Sequence, residues 1–155
     1  METQEKIAQL IPRLRRYARA LASAGKPPDE LVRRTLERAS QELRVAHAEA
    51  DLRVWLFSLL HDIYVQEAAL QDAGSLAGSA PARAVSGAPP FDQAMATLPP
   101  QQREIFLLVT LEDMSYEQVA KTLDIPIGTV MSRLSRAREK LRLLLRDQAR
   151  VQVVK

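Results

Sequence analysis

Thr129, Ser132, Arg133, Arg136 and Lys140 recur at helical steps between Pro126 and Leu141. Hydroxyls and guanidinium groups in that register can bond phosphate oxygens and base edges, which is the chemistry of a helix lying in the DNA major groove. Arg133 and Arg136 are the candidates for guanine edges or flanking phosphates, because a guanidinium fork pairs with O6 and N7 together. Thr129 and Ser132 would contact phosphates or bases near the helix start, while Lys140 and Arg103 would hold the backbone. The plainer reading of such a stripe is a solvated helix face, so the surrounding chain has to decide.

The elements that must position these residues are legible. Ile127, Val130, Leu134, Ala137, Leu141 and Leu144 repeat at steps of three and four, predicting one buried stripe on the same helix. Ser115 with Gln118 three residues later is a capping-box pattern, so a helix over 116–123 should start there with Val119, Ala120 and Leu123 inward. Asp124, Ile125 and Pro126 make the turn, with the proline suited to the first position of the next helix. A preceding helix over 101–111 offers Ile105, Phe106, Leu108 and Val109 as cover. Helix, tight turn and longer helix together have the size of a helix-turn-helix.

Charge distribution agrees. Eight basic and two acidic residues lie between Gly128 and Lys155, so this end carries +6 and the remainder −3 of the net +3. A basic terminal helix is the electrostatic footprint of a phosphate-binding surface. Arg142, Arg146, Arg150 and Lys155 read equally well as a solvated tail.

The composition, 46% hydrophobic in 155 residues, allows one ordinary domain or two small ones. No run alternates with period two for long enough to make a sheet, so the expected class is all-α. Residues 71–90, QDAGSLAGSAPARAVSGAPP, are too poor in bulky side chains to offset the entropy of ordering. They predict a flexible linker with a reach of about 25 Å. The expected organisation is therefore a three-helix bundle in 1–70, a linker in 71–90 and a helix-turn-helix domain in 91–155. In the bundle, Ile7, Leu10, Ile11, Leu14, Tyr17, Ala18 and Leu21 form the first stripe. Pro27, Pro28 and Asp29 announce a second helix carrying Leu31, Val32, Thr35, Leu36, Ala39 and Leu43. Asp51 can cap a third, with Leu52, Trp55, Leu56, Leu59, Leu60, Ile63 and Tyr64 inward. Residues 91–98 read as a short helix, and Pro99-Pro100 begins the next.

Enzymatic readings find no footing. His47 and His61 are far apart without carboxylate neighbours at ligand spacing, and there is no glycine-rich phosphate loop or nucleophile motif. Glu112 and Asp113 are a paired acid that reads as a solvated inter-helix turn. No metal or cofactor is called for. The chain has no cysteine, which fits a reducing cytosol. Neither a signal peptide nor an apolar run of membrane-spanning length is visible. A soluble cytoplasmic protein without membrane insertion is the expectation.

At this point the residues resemble a bacterial sigma factor of the extracytoplasmic-function type over nearly the whole chain. LPPQQREIFLLVTLEDMSYEQVAKTLDIPIGTVMSRLSRAREKLRLLL is similar to that family's region four, which reads the promoter −35 element. IPRLRRYARALAS, DELVRRTLERA and DLRVWLFSLL are similar to region two, which clamps the polymerase core and captures the melted −10 element. The resemblance implies a transcription initiation factor with core RNA polymerase and promoter duplex as partners, acting as a monomer when free. It implies a polymerase-clamping face at Asp29, Glu30, Leu31, Val32, Thr35 and Leu36, and places Trp55, His61 and Tyr64 near the −10 strand. An aromatic such as Trp55 could stack an unpaired base there, though such residues more often serve the core. It further implies an anti-sigma factor that packs between the two domains. The chain departs from the family at Arg33 and Arg34, where Gln-Glu is common, and at Ser40, where Trp is. It departs again at His61, Asp62, Gln66, Ala69 and Leu70, which thin the positive charge, and at Met131, where lysine is frequent.

The alternative is a sigma-like decoy that sequesters an anti-sigma factor through protein contacts. Such decoys usually lose the −35 motif and are fused to a phosphoacceptor domain, for which this chain is expected to have no room. A stand-alone helix-turn-helix repressor would need a dimerisation segment to match a palindrome, and nothing here resembles one.

Overall fold

The computed structural model describes residues 2–21, 27–46, 51–74 and 90–153. Every regular element among them is a helix: α1 (Glu2–Leu21), α2 (Pro28–Ala46), α3 (Leu52–Gly74), α4 (Pro90–Thr97), α5 (Pro100–Thr110), α6 (Tyr116–Leu123) and α7 (Ile127–Val153). The all-α class expected from the sequence is found.

Local chemistry sets the helix starts. Asp29 and Glu30 sit in the first turn of α2, where negative charge complements the helix dipole. The Asp51 carboxylate accepts the Arg53 N–H at 3.1 Å and caps α3. Pro100 occupies the first turn of α5, where its missing N–H costs nothing. Helix α1 continues through Pro12, which leaves the Ala8 carbonyl without its helical donor, but both residues are exposed and water can serve instead.

Helices α1, α2 and α3 pack as the expected bundle, with α2 against both neighbours. Tyr17 and Phe57 meet edge-on at its centre, ring centroids 5.1 Å apart at 84°, a geometry aromatic quadrupoles favour. The atypical Arg33 and Arg34 are engaged within this half. Arg33 pairs with Glu30 and Glu37 on its own helix, and Arg34 reaches across to Glu67 of α3 at 2.6 Å. In the other half, α4, α5 and α6 all pack against α7.

The two halves are docked. Helix α3 lies along α6 and α1 against α5, and buried residues from both sides form one continuous apolar cluster. The stretch read as a linker is helical at both ends: 71–74 complete α3, whose run reaches the helix-breaking Gly74, and Pro90 already belongs to α4. Residues 75–89, the middle of that stretch, lie outside the described residues.

The stripe on α7 is buried at Val130, Leu134, Ala137 and Leu141, with Leu144 half-buried. Ile127 is the exception. It stands 44% exposed, at the first position of α7. Pro126 lies one position earlier than expected: its carbonyl accepts from Val130 N–H at 3.2 Å, as an N-cap residue's does.

The capping box at Ser115 sets where α6 begins and should contribute measurably. Ser115→Ala is expected to lower the unfolding free energy by about 1 kcal/mol, while Ser115→Thr stays close to the parent. Urea denaturation of the two variants measures both.

Candidate nucleic-acid interface and the junction behind it

Helix α5 ends by turning back on itself, with the Met114 N–H bonded to the Leu108 carbonyl at 3.0 Å around a left-handed Asp113, φ 55°. The capping box then opens α6: Gln118 N–H donates to Ser115 Oγ at 3.1 Å, and Ser115 N–H to Gln118 Oε1 at 2.9 Å. A second left-handed aspartate, Asp124, closes α6. Aspartate tolerates that conformation better than most residues. These stops aim α7 across α6, with its buried stripe inward.

What remains on the outer side of α7 is a polar face. Ser132 and Arg136 are fully outward, Lys140 is exposed, and Thr129 and Arg133 flank them half-buried. Among the described residues, no hydrogen bond or ion pair engages the side chains of Arg133, Arg136 or Arg138. Lys140 makes only a long contact, 3.4 Å, to the Thr97 carbonyl. Arg142, from the stretch read as a possible tail, pairs with Glu139 at 2.8 Å. Sequence reasoning centred on the cations, noted Met131 only as a lost lysine, and passed over Gly128 and Ser135. Yet 128, 132, 135 and 139 form the line opposite Val130, Leu134, Ala137 and Leu141, so the signal was present. Met131 is 52% exposed and, with Ser135 and Arg138, borders a shallow depression of about 370 Å³ beside Tyr116. A Cβ on Gly128 would meet nothing within 4 Å, so packing within this chain does not require the glycine.

Arg103 is a correction. Expected to hold phosphates, it is 5% exposed. Its guanidinium donates to the carbonyls of Met95 at 3.0 Å, Leu21 at 3.2 Å, Ala96 at 2.9 Å and Leu98 at 3.0 Å. Four of its five N–H groups are taken by backbone oxygens at the ends of α1 and α4, and burial keeps a phosphate from the group. Its role is structural.

The six residues expected to form one clamping face also divide. Leu31, Val32 and Thr35 share the inward stripe of α2, and the Thr35 hydroxyl donates to the Leu31 carbonyl at 2.8 Å. Only Asp29, Glu30 and the half-buried Leu36 reach the surface. Trp55 is half-buried against the core. His61 and Tyr64 turn toward α5 rather than outward: His61 Nδ1 lies 2.9 Å from Glu104 Oε1, and Tyr64 is near enough to Arg103 and Glu104 to feel their charges.

Glu112 corrects the reading of a solvated acidic turn. Asp113 is exposed, but the Glu112 side chain is 0% exposed, with Arg16 of α1 3.5 Å from Oε1. Among the described residues neither carboxylate oxygen accepts a hydrogen bond. Burial raises its pKa above the usual carboxylate range, against the opposing pull of Arg16, Arg13 and Arg53. At His61, burial lowers the pKa, but the hydrogen bond to Glu104 and the charges of Glu104 and Asp62 outweigh it and leave the imidazole raised. Between the two sites the Tyr17 phenol is held well up, by burial first and then by Glu104, Tyr64 and Glu112.

The same geometry recurs in known proteins. The family profile for Sigma-70, region 4 matches residues 90–141, and that for the Sigma2 domain of PhyR matches residues 7–61. The chain is 31% identical to the ECF RNA polymerase sigma factor EcfG of Rhodopseudomonas palustris (strain TIE-1), over 92% of this chain and 84% of the relative. It is 28% identical to the Phyllosphere-induced regulator PhyR of Methylorubrum extorquens, over 91% of this chain and 49% of that protein. Among solved structures, the sigma factor RpoE of Bartonella quintana, in complex with the anti-sigma factor NepR, superposes with a TM-score of 0.78 at 28% identity. That match covers 94% of this chain and 97% of the other.

Protonation at the junction has a definite sign. A proton held more tightly in the docked chain stabilises it while bound, so the His61 contribution is full below about pH 6.5 and lost as pH rises through its raised value. Glu112 acts in the same direction, since its buried carboxyl favours the protonated form. The urea midpoint should therefore fall between about pH 6 and about pH 8.5, and His61→Gln should flatten that decline. An unchanged slope in His61→Gln would exclude the pair as its source.

Proposed function

This chain belongs to the extracytoplasmic-function sigma factors of RNA polymerase, and on that footing we propose how its residues divide the work. As a member it is a transcription initiation factor, not an enzyme: it binds core RNA polymerase and directs it to promoters, whose −35 element its C-terminal helix-turn-helix recognises. No helix among the described residues is long and apolar enough to cross a membrane. We place its work in the cytoplasm, where core polymerase and promoter DNA are.

In our reading α7 enters the major groove, Arg136 and Ser132 meet base edges, and Thr129, Arg133 and Lys140 hold the phosphates on one flank. Gly128 leaves room for a phosphate to approach the backbone closely. One observation carries this: among the described residues, none pairs with Arg133, Arg136 or Arg138 on the outward side of α7. Arg33 and Arg34, by contrast, are neutralised by neighbouring carboxylates, which argues against a nucleic-acid role for them. The exposed edge of α2, Asp29 and Glu30 with Leu36, is the part of the expected clamping face that polymerase could touch without unfolding the bundle. Trp55, His61 and Tyr64 would serve the −10 strand only after the halves part. The solved Bartonella relative holds an anti-sigma factor, and a partner of that class is our proposal for regulation here.

The second reading, a decoy that titrates the anti-sigma factor, draws on the match of residues 7–61 to the Sigma2 domain of PhyR. The intact capping box and unengaged α7 face favour initiation. Run-off transcription with core polymerase on genomic fragments separates the two, since a decoy yields no specific transcript yet binds the anti-sigma protein tightly.

On a promoter found that way, Arg136→Ala is expected to weaken specific binding by about 1–3 kcal/mol and relax preference at one base pair. Equal loss on all sequences would instead make it a phosphate contact. Arg133→Ala should reduce the salt slope of binding by about one unit with specificity unchanged, as read from titrations at several salt concentrations.

A further inference from the structure

The caps of α3 and α6 are joined to each other. Asp51 uses Oδ1 to cap its own helix and accepts from Gln118 Nε2 with Oδ2, at 2.9 Å. Gln118 in turn caps α6 with Oε1, which also accepts from Arg53 Nη2 at 3.3 Å. Arg53 Nη1 donates to the Glu112 carbonyl at 3.0 Å, and Arg16 Nη2 donates to the Leu111 carbonyl at 3.0 Å. The Gln118–Asp51 cross-link uses the two atoms, Nε2 and Oδ2, that capping leaves spare. All four side chains are exposed or half-buried at the rim of the apolar contact between α3 and α6, where water can replace the bonds once they part.

A docked chain cannot read both promoter elements. The −10 and −35 elements lie about 25 base pairs apart, roughly 85 Å along the duplex. A chain of 155 residues packed as one body has a radius of gyration of only about 15 Å. His61 and Tyr64 also face the junction while it is closed.

We propose that Asp51, Arg53 and Gln118 form an intramolecular latch that holds the free chain closed and must open before it can occupy a promoter. The inhibitory half of this inference rests on the initiation-factor reading; the latch itself does not. Gln118→Glu keeps the capping box but sets a carboxylate against Asp51. Asp51→Asn keeps the α3 cap but sets an amide N–H₂ against that of Gln118. The double variant Asp51→Asn with Gln118→Glu restores a donor facing an acceptor, with the roles exchanged.

The chain has no cysteine, so a dye pair can be placed at Gln41→Cys and Asp147→Cys, both exposed positions, and read by single-molecule energy transfer. Asp51→Asn should shift the closed-to-open ratio by about tenfold toward open and Gln118→Glu by less, because Arg53 still pairs with the new carboxylate; the double should return near the parent, and helix content by circular dichroism should not change. At limiting core polymerase the single variants should also give more run-off transcript than the parent. Unchanged energy transfer in the single variants overturns the latch, as does a double variant that stays open. Opening without gain in transcript overturns the inhibitory role. If the parent and every variant are transcriptionally silent, the promoter reading and the inhibitory role fail together, while energy transfer still decides the latch.

Discussion

Helix α3 carries more apolar surface than two neighbouring helices can cover. Besides its expected stripe, Val54 and Phe57 are buried, and a helix that is apolar nearly all round has to be enclosed. Helices α1 and α2 cover part of it, and α6 lies along what remains. The order of preference is physical: non-directional burial of apolar area comes first, and the polar contacts around its edge set register. The two halves of the chain are docked because α3 needs them both.

That constraint explains why local features were readable in advance and long-range ones were not. The capping box at Ser115 and Gln118, the stripe through Val130 and Leu134, and the three bundle helices all express periodicity or neighbour chemistry within a few residues. Docking expresses what residues far apart do to each other. Arg103 shows the failure most clearly. In sequence it is a cation on a helix following a proline pair, indistinguishable from one facing solvent. Its burial follows from carbonyls supplied by Leu21, Met95, Ala96 and Leu98, and no spacing rule links Leu21 to Arg103. Glu112 failed for the same reason, being enclosed by a helix from the opposite end of the chain. The surplus of α3 was the one available hint, since Val54 and Phe57 lie off the stripe that was named.

Eight arginines of this molecule thus fall into two populations of different use. Arg33 and Arg34 are consumed by carboxylates on α2 and α3, and Arg16, Arg53 and Arg103 by backbone carbonyls at the junction. Arg133, Arg136 and Arg138 have no intramolecular partner among the described residues. Counting net charge would treat all of them alike. Only the second population is available to a polyanion without first undoing some part of the fold.

Adjacent positions on α5 give the junction two fastenings of unlike character. Arg103 holds α1 and α4 through hydrogen bonds to backbone carbonyls, whereas Glu104 holds α3 through an imidazole whose charge comes and goes near neutrality. A shift toward mild alkalinity therefore slackens one side only.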